Sequence, residues 1–210
     1  MTVAYTEIGS VGELRDLLGM PAGRAVTKER TKLHAVDREW LAISPFCVLA
    51  TSDAHGNCDA SPKGDPAGHL IQVLDDTTIA IAERPGNKRA DGYGNVLANP
   101  HVGIISIIPG RNETLRINGR ARLLRDAPFF DELTVRGRRP VLVLLVEIDQ
   151  IFFHCPKAFM RSKLWAVESQ IDRRELPSFA EILRDHAALG ECDLDELQRE
   201  LDHRAQSMLH

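Results

Sequence analysis

Hydrophobic positions along this chain change their spacing twice. Between Phe46 and about Phe153 they come in short runs or alternate with polar residues: "FCVLATS", "HLIQVL", "TTIAIAE", "HVGIISIIPG", "ETLRINGRARLLRD" and "RPVLVLLVEIDQIFFHC". Gly, Pro, Asn or Asp punctuates them, and runs of this length between turn signals predict β-strands. "FCVLATS" reads as a buried strand, "DAHGN" as the turn into "CDASPKG", and Asp75-Asp76 as the turn of a hairpin. Gly119 inside the long strand "ETLRINGRARLLRD" predicts a bulge. Two segments break the pattern with helical spacing, Lys88 to Ala98 and "APFFDELTVRG". About seven strands with few helices fit a small barrel better than a doubly wound sheet.

The flanks read as helical. Ser10 and Glu13 form a capping box ahead of Leu14, Leu17 and Leu18, with Gly19 as a stop, and Asp37 is the expected cap of a second helix carrying Trp40, Leu41 and Ile43. Beyond Lys157, Ser178 and Glu181 form another capping box with Gly190 as the stop, and Asp193 with Glu196 opens a last helix. Its stripe of Leu194, Leu197, Leu201 and Met208 predicts packing against the body. The division is an N-terminal helical extension, 1–44, a core, 45–165, and a C-terminal helical extension, 166–210, in one integrated domain.

Charge changes this picture locally. The chain of 210 residues has a net charge of −4, but residues 166–210 hold 11 acids against 5 Arg, leaving the rest at +2. That argues against general nucleic-acid binding and allows a local anion site in the first 165 residues. No apolar run nears the roughly 20 residues that span a bilayer, and "MTVAYTEIGS" lacks the features of a secretory signal. Cys47, Cys58, Cys155 and Cys192 form no close pair and read as reduced cytoplasmic thiols. His55 and Cys58 sit on a turn without a second pair, so no metal site is expected. Cys155 reads as a buried, inert thiol rather than a nucleophile.

Three features could meet on one ligand. "SPKG", Ser61 to Gly64, offers a strand edge, a hydroxyl and a cation. Asn87, Lys88 and Arg89 place two cations where a helix is expected to begin, which opposes the macrodipole unless an anion such as phosphate is there. Thr114 and Arg116 lie on the long strand. Together they describe a pocket for a phosphate and a flat polar ring.

The order of "FCVLATSDAHGNCDASPKGDP", "ERPGNKRADGYGNVLANPHVGIISIIPG", "NETLRINGRARLLRD" and "HCPKAFMRSKLW" resembles the pyridoxamine-5′-phosphate-oxidase-like, FMN-binding split-barrel superfamily, within it a subfamily of probable FMN-dependent enzymes, from about Trp40 to Trp165. The resemblance implies a mainly β, α+β fold: a split β-barrel of the FMN-binding type with added terminal helices. It implies FMN as cofactor and a homodimer with FMN at the subunit interface. Ala60, Ser61, Pro62, Lys63 and Gly64 would line the flavin, and Asn87, Lys88 and Arg89 would hold its phosphate. Thr114 and Arg116 would approach from the second subunit, as would Arg161, Ser162 and Lys163. The expected activity is an FMN-dependent oxidoreduction of a small molecule, with a flavin carrier or a haem-type binder as alternatives. The Arg-Leu-His segment that closes the true oxidases is absent, so pyridoxamine phosphate is not the expected substrate. Pairing of the barrels is expected through apolar strands such as "VLVLLV", Val141 to Val146.

Overall fold

The structure, a computed structural model, describes residues 4–187, 190, 192–207 and 209. Seven antiparallel strands form one sheet: β1 (Phe46–Ser52), β2 (Cys58–Gly64), β3 (Ile71–Val73), β4 (Thr78–Ala82), β5 (His101–Ile107), β6 (Thr114–Leu124) and β7 (Val143–His154). Their order is β2-β1-β5-β6-β7-β4-β3. In a flat sheet β2 and β4 would lie roughly 24 Å apart, five strand spacings. Yet Lys63 Nζ on β2 is 3.3 Å from Oε2 of Glu83, one residue past β4. The sheet is therefore rolled, and its inner face closes on one core containing Leu49, Ile81, Ile104, Ile117 and Val146.

The strand sequences explain their places. β1 alternates buried and open positions, so it is half-buried rather than buried on both faces as expected from its apolar run. The first four residues of β7 are all apolar because they are covered on both sides. Leu144 and Val146 face the main core, while Val143 and Leu145 face a second cluster with Phe130 and Leu133 from the 3-10 turn at Pro128–Leu133. The run named as a pairing surface is thus spent inside its own chain from Val143 to Val146, and of its two leading residues only Val141 stands largely open. The β6–β7 register shifts between Asn118 and Gly119, as the glycine predicted. A Cβ on Gly119 would lie 2.1 Å from the Glu147 carbonyl oxygen, so no other residue fits there without moving backbone.

The helices are α1 (Val11–Leu18), α2 (Gly23–Thr27), α3 (Ala35–Ile43), α4 (Asp91–Ala98), α5 (Lys157–Ser162), α6 (Phe179–His186) and α7 (Leu194–Ser207). Ser10 caps α1 and Gly19 ends it, as expected, but α1 buries no residue. In α3 the cap is His34, and Asp37 sits three residues inside. Asp37 accepts from the His34 amide at 2.7 Å and forms two hydrogen bonds with the Arg30 guanidinium, which removes its freedom to cap. Leu33, Trp40 and Leu41 join the core. Ser178 and Glu181 cap α6 reciprocally, but the helix stops at His186, short of Gly190. Leu194, Leu197 and Leu201 of α7 are half-buried, and α6 and α7 pack on one another. Met208 lies outside the described residues.

Candidate functional site

Rolling the sheet leaves a cavity of about 650 Å³ between β2, the end of β4, the loop at 85–90 and the first turn of α4. Strand periodicity decides what β2 contributes. Asp59, Ser61, Lys63 and Asp65 alternate with the more exposed Ala60, Pro62 and Gly64, and all seven line the cavity. Asn87, Lys88 and Arg89 line its other side. The structure therefore brings together eight of the thirteen residues singled out from the sequence.

Lys63 is held from two directions. It pairs with Glu83 at 3.3 Å and lies 4.7 Å from the centre of the Tyr93 ring. Tyr93 donates its hydroxyl to the same Glu83 carboxylate. Burial, then the Glu83 hydrogen bond and charge, push the Tyr93 phenol up, so it stays protonated. Behind Lys63, its cross-strand neighbour Cys47 is fully buried, and burial pushes its thiol up to about 12. Sequence reading missed Glu83 and Tyr93, because nothing local sets them apart; only closure of the sheet brings Glu83 to Lys63.

A second pair braces the wall. Arg84 Nε meets Asp65 Oδ2 at 2.6 Å, and both side chains are largely buried. The remaining Asp65 Oδ1 and Arg84 Nη2 are buried without a partner among the described residues. Buried polar atoms left unpaired are uncommon and concentrate where a structure does more than pack.

The loop departs from the expectation of a helix beginning at Lys88. Lys88 (φ 61°) and Ala90 (φ 57°) are both left-handed, and α4 starts at Asp91. The two cations precede the helix, and Asp91 supplies the acid its first turn favours. Arg89 donates from Nε to Asp91 Oδ2 at 2.7 Å, which raises its pKa further, while Lys88 has no carboxylate partner among the described residues. The start of α4 at Asp91 and the Arg89–Asp91 pair ease the conflict between cations and helix dipole. A non-glycine residue in the left-handed region costs about 1 kcal/mol or more, and such strain gathers at ligand sites. Gly92 lets α4 sit close: a Cβ there would be 3.1 Å from Asp59 Oδ2.

The other five residues lie elsewhere in this chain, and none lines the cavity. Thr114 is buried opposite His154, and Arg116 lies 5.1 Å from the Phe152 ring centre. His154 is held below its ordinary value, first by burial and then by the charges of Arg116 and Lys28. On α5, Arg161 is exposed and Ser162 donates to the Phe159 carbonyl at 3.1 Å. Lys163 caps the helix in the left-handed region (φ 50°) with its Nζ 3.7 Å from Glu168. Cys155 is exposed, not buried as expected, because β7 ends just before it. No group of three or more potential metal ligands occurs among the described residues, and no described helix is long and apolar enough to cross a membrane.

A rolled seven-stranded antiparallel sheet with peripheral helices and a cavity at its β2 edge defines a split-barrel protein of the mixed α+β class. Residues 33–155, more than half of the chain, match the family model described as pyridoxamine 5′-phosphate oxidase, and the chain belongs to that family. Among solved structures, it is similar to HupZ of Group A Streptococcus (18% identity, TM-score 0.47, covering 58% of this chain and 93% of that one). It is also similar to general stress protein 26 of Bacillus anthracis str. Sterne (13% identity, TM-score 0.42, 55% and 88%). An FAD-binding protein of Mesorhizobium loti matches as well (18% identity, TM-score 0.40, 60% and 94%). No curated protein matches the chain.

Proposed function

We propose that the cavity holds FMN and that the protein is an FMN-dependent oxidoreductase acting on a small molecule. The observation that carries this reading is the convergence of Lys63, Lys88 and Arg89 with Ser61 and Asn87 on one cavity. Its volume falls within the roughly 300–1,000 Å³ usual for small-molecule sites. Lys88 and Arg89 would hold the phosphate, and charge-assisted bonds to a dianion are about twice as strong as neutral ones. FMN, when bound, supplies the electron-transfer chemistry. The chain's own residues do the rest. Glu83 and the Tyr93 ring hold the Lys63 ammonium group in the cavity wall, and Tyr93 keeps a proton on a hydroxyl directed at Glu83. Tyr93, its phenol pushed up by burial and by Glu83 inside a cleft, is the kind of perturbed group that marks a functional site, and it is the feature that favours an enzyme over a carrier. FMN is preferred to haem because, among the described residues, the lining holds no His, Cys or Met to ligate iron, and its tyrosine, Tyr93, is committed through its hydroxyl to Glu83.

The same reading makes the protein a homodimer. On the outer face of the sheet, Pro62-Val48-Ile105, Ala60-Ala50-Gly103 and Gly64-Phe46-Ile107 form three adjacent rows across β2, β1 and β5, with no polar side chain among them. Arg116 stands next to Ile105 on that face. A second copy paired about a two-fold axis through this patch would cover it and carry its own Arg116 and α5 toward the first copy's cavity.

Replacing Lys88 and Arg89 together with Ala tests the cofactor reading. Loss of two phosphate partners at about 1.5–3 kcal/mol each lowers FMN affinity by roughly two to four decades, read by flavin fluorescence quenching. The FMN-free variant melts within a few degrees of FMN-free wild type, since both residues are exposed. Unchanged FMN affinity would place the phosphate elsewhere.

A further inference from the structure

Beyond the wall formed by residues 83–88 lies a second cavity, of about 530 Å³. Its lining is apolar at Pro85, Val135, Pro140 and Val141. Val135 and Pro140 are buried, and Val141 is 81% exposed, a large apolar side chain left open at the mouth. Among the described residues, four cations ring this apolar surface, with Glu83 as the one acid. Arg84 is committed to Asp65, and Arg139 to Asp126 and Asp131. Lys88 and Arg138 have no carboxylate partner among the described residues.

The backbone places those two deliberately. Val135 and Arg138 exchange both backbone hydrogen bonds, at 3.2 and 3.0 Å, around Arg136 (φ 49°) and Gly137 (φ 76°). Two central residues with positive φ make a tight two-residue hairpin, which fixes the register of Arg138. Lys88 reaches the same cavity from another left-handed residue about fifty positions earlier in the chain. Two strained non-glycine residues in separate segments thus bring unpaired cations to one apolar hollow.

We propose that this second cavity binds a small organic anion, its apolar body against Val135, Pro140 and Val141 and its carboxylate, sulfonate or phosphate on Arg138, with Lys88 shared between this cavity and the first. Apolar area supplies affinity without orientation, and the planar guanidinium of Arg138 supplies the orientation. Lys88 lines both cavities, whereas Arg138 belongs to the second alone. As the place of the substrate beside the cofactor, the site rests on the FMN reading of the first cavity; as an anion site it stands without it.

The probe is naphthalene-2-sulfonate, with the uncharged naphthalene-2-sulfonamide as its match in shape, followed by amide chemical shifts in the full chain. The sulfonate should shift amides in both 83–88 and 135–141 and bind about tenfold or more tightly than the sulfonamide, the difference one charge-assisted contact makes. Arg138→Gln, an exposed turn substitution, should weaken the sulfonate by about tenfold and leave the sulfonamide unchanged. Equal binding of the two probes, shifts confined to β2 and α4, or indifference to Arg138→Gln would overturn the proposal. FMN titration of the same samples separates the two readings. Sulfonate binding at this site with no FMN binding supports the anion site and removes the cofactor from the first cavity.

Discussion

Asp37 shows how one side chain can be misread from its neighbours alone. In sequence it precedes an apolar helical stretch, as a cap would, yet it is fully buried and clasps Arg30. Burial pushes its carboxyl up, but the Arg30 hydrogen bonds, the His34 amide and the Arg30 charge outweigh burial and hold it below the usual carboxylate range. The sign follows: a folded-state pKa below the unfolded value contributes stability above about pH 4, lost as pH falls through the folded value. Asp37→Asn should cost about 3 kcal/mol at pH 7, near the low end for breaking a buried pair because Arg30 remains a fifth exposed. Urea melts from pH 7 to pH 3 check this. The gap between wild type and variant should narrow on acidification, and a constant gap would mean the charge of Asp37 contributes nothing.

At the scale of elements, α4 carries two glycines that look equivalent in "DGYGN" and are not. Gly94 faces open space, so a Cβ there meets nothing within 4 Å, whereas Gly92 lies against Asp59 and Thr51 of the sheet. Gly94→Ala should stabilise by about 0.5–1 kcal/mol through helix propensity and a less flexible unfolded chain. That corresponds to a rise of roughly 1–4 °C in melting temperature. Gly92→Ala receives the same propensity gain but must displace Asp59, so its melting temperature should not rise. An equal gain from both would show that α4 does not seat closely on β1 and β2. The start of this helix is not legible in the sequence for a related reason. Left-handed residues at Lys88 and Ala90 carry no compositional mark, since neither is Gly or Asn.

For the whole molecule, the consequential surface is the apolar outer face of β1, β2 and β5. Ile105 is 38% exposed there, so a polar residue is tolerated by the single chain. Ile105→Asp should therefore leave the fold intact, convert a dimer into a monomer in sedimentation velocity, and weaken FMN binding as the partner's contribution is lost. A wild-type protein that is monomeric yet binds FMN tightly would refute the shared site. "VLVLLV" reads as a pairing strand in sequence because a continuous apolar run looks alike whether its two faces meet one chain or two. Here the turn at Pro128–Leu133 covers the second face.

What the sequence determined alone is what depends on spans of a few residues. The strand runs, the Gly119 bulge, the Ser10 and Ser178 caps and the β3–β4 hairpin each follow from local sterics, period and hydrogen bonding. The order of these parts carried the family. Only the tertiary structure could decide which residues share a cavity, because closure of the sheet sets Lys63 beside Glu83, twenty positions away, and beneath them Tyr93. The same closure sets the row of Asp59, Ser61, Lys63 and Asp65 against the loop at 85–90, and the path of the chain brings Arg138 and Lys88, about fifty positions apart, to one hollow, although each segment's own backbone sets how it presents them.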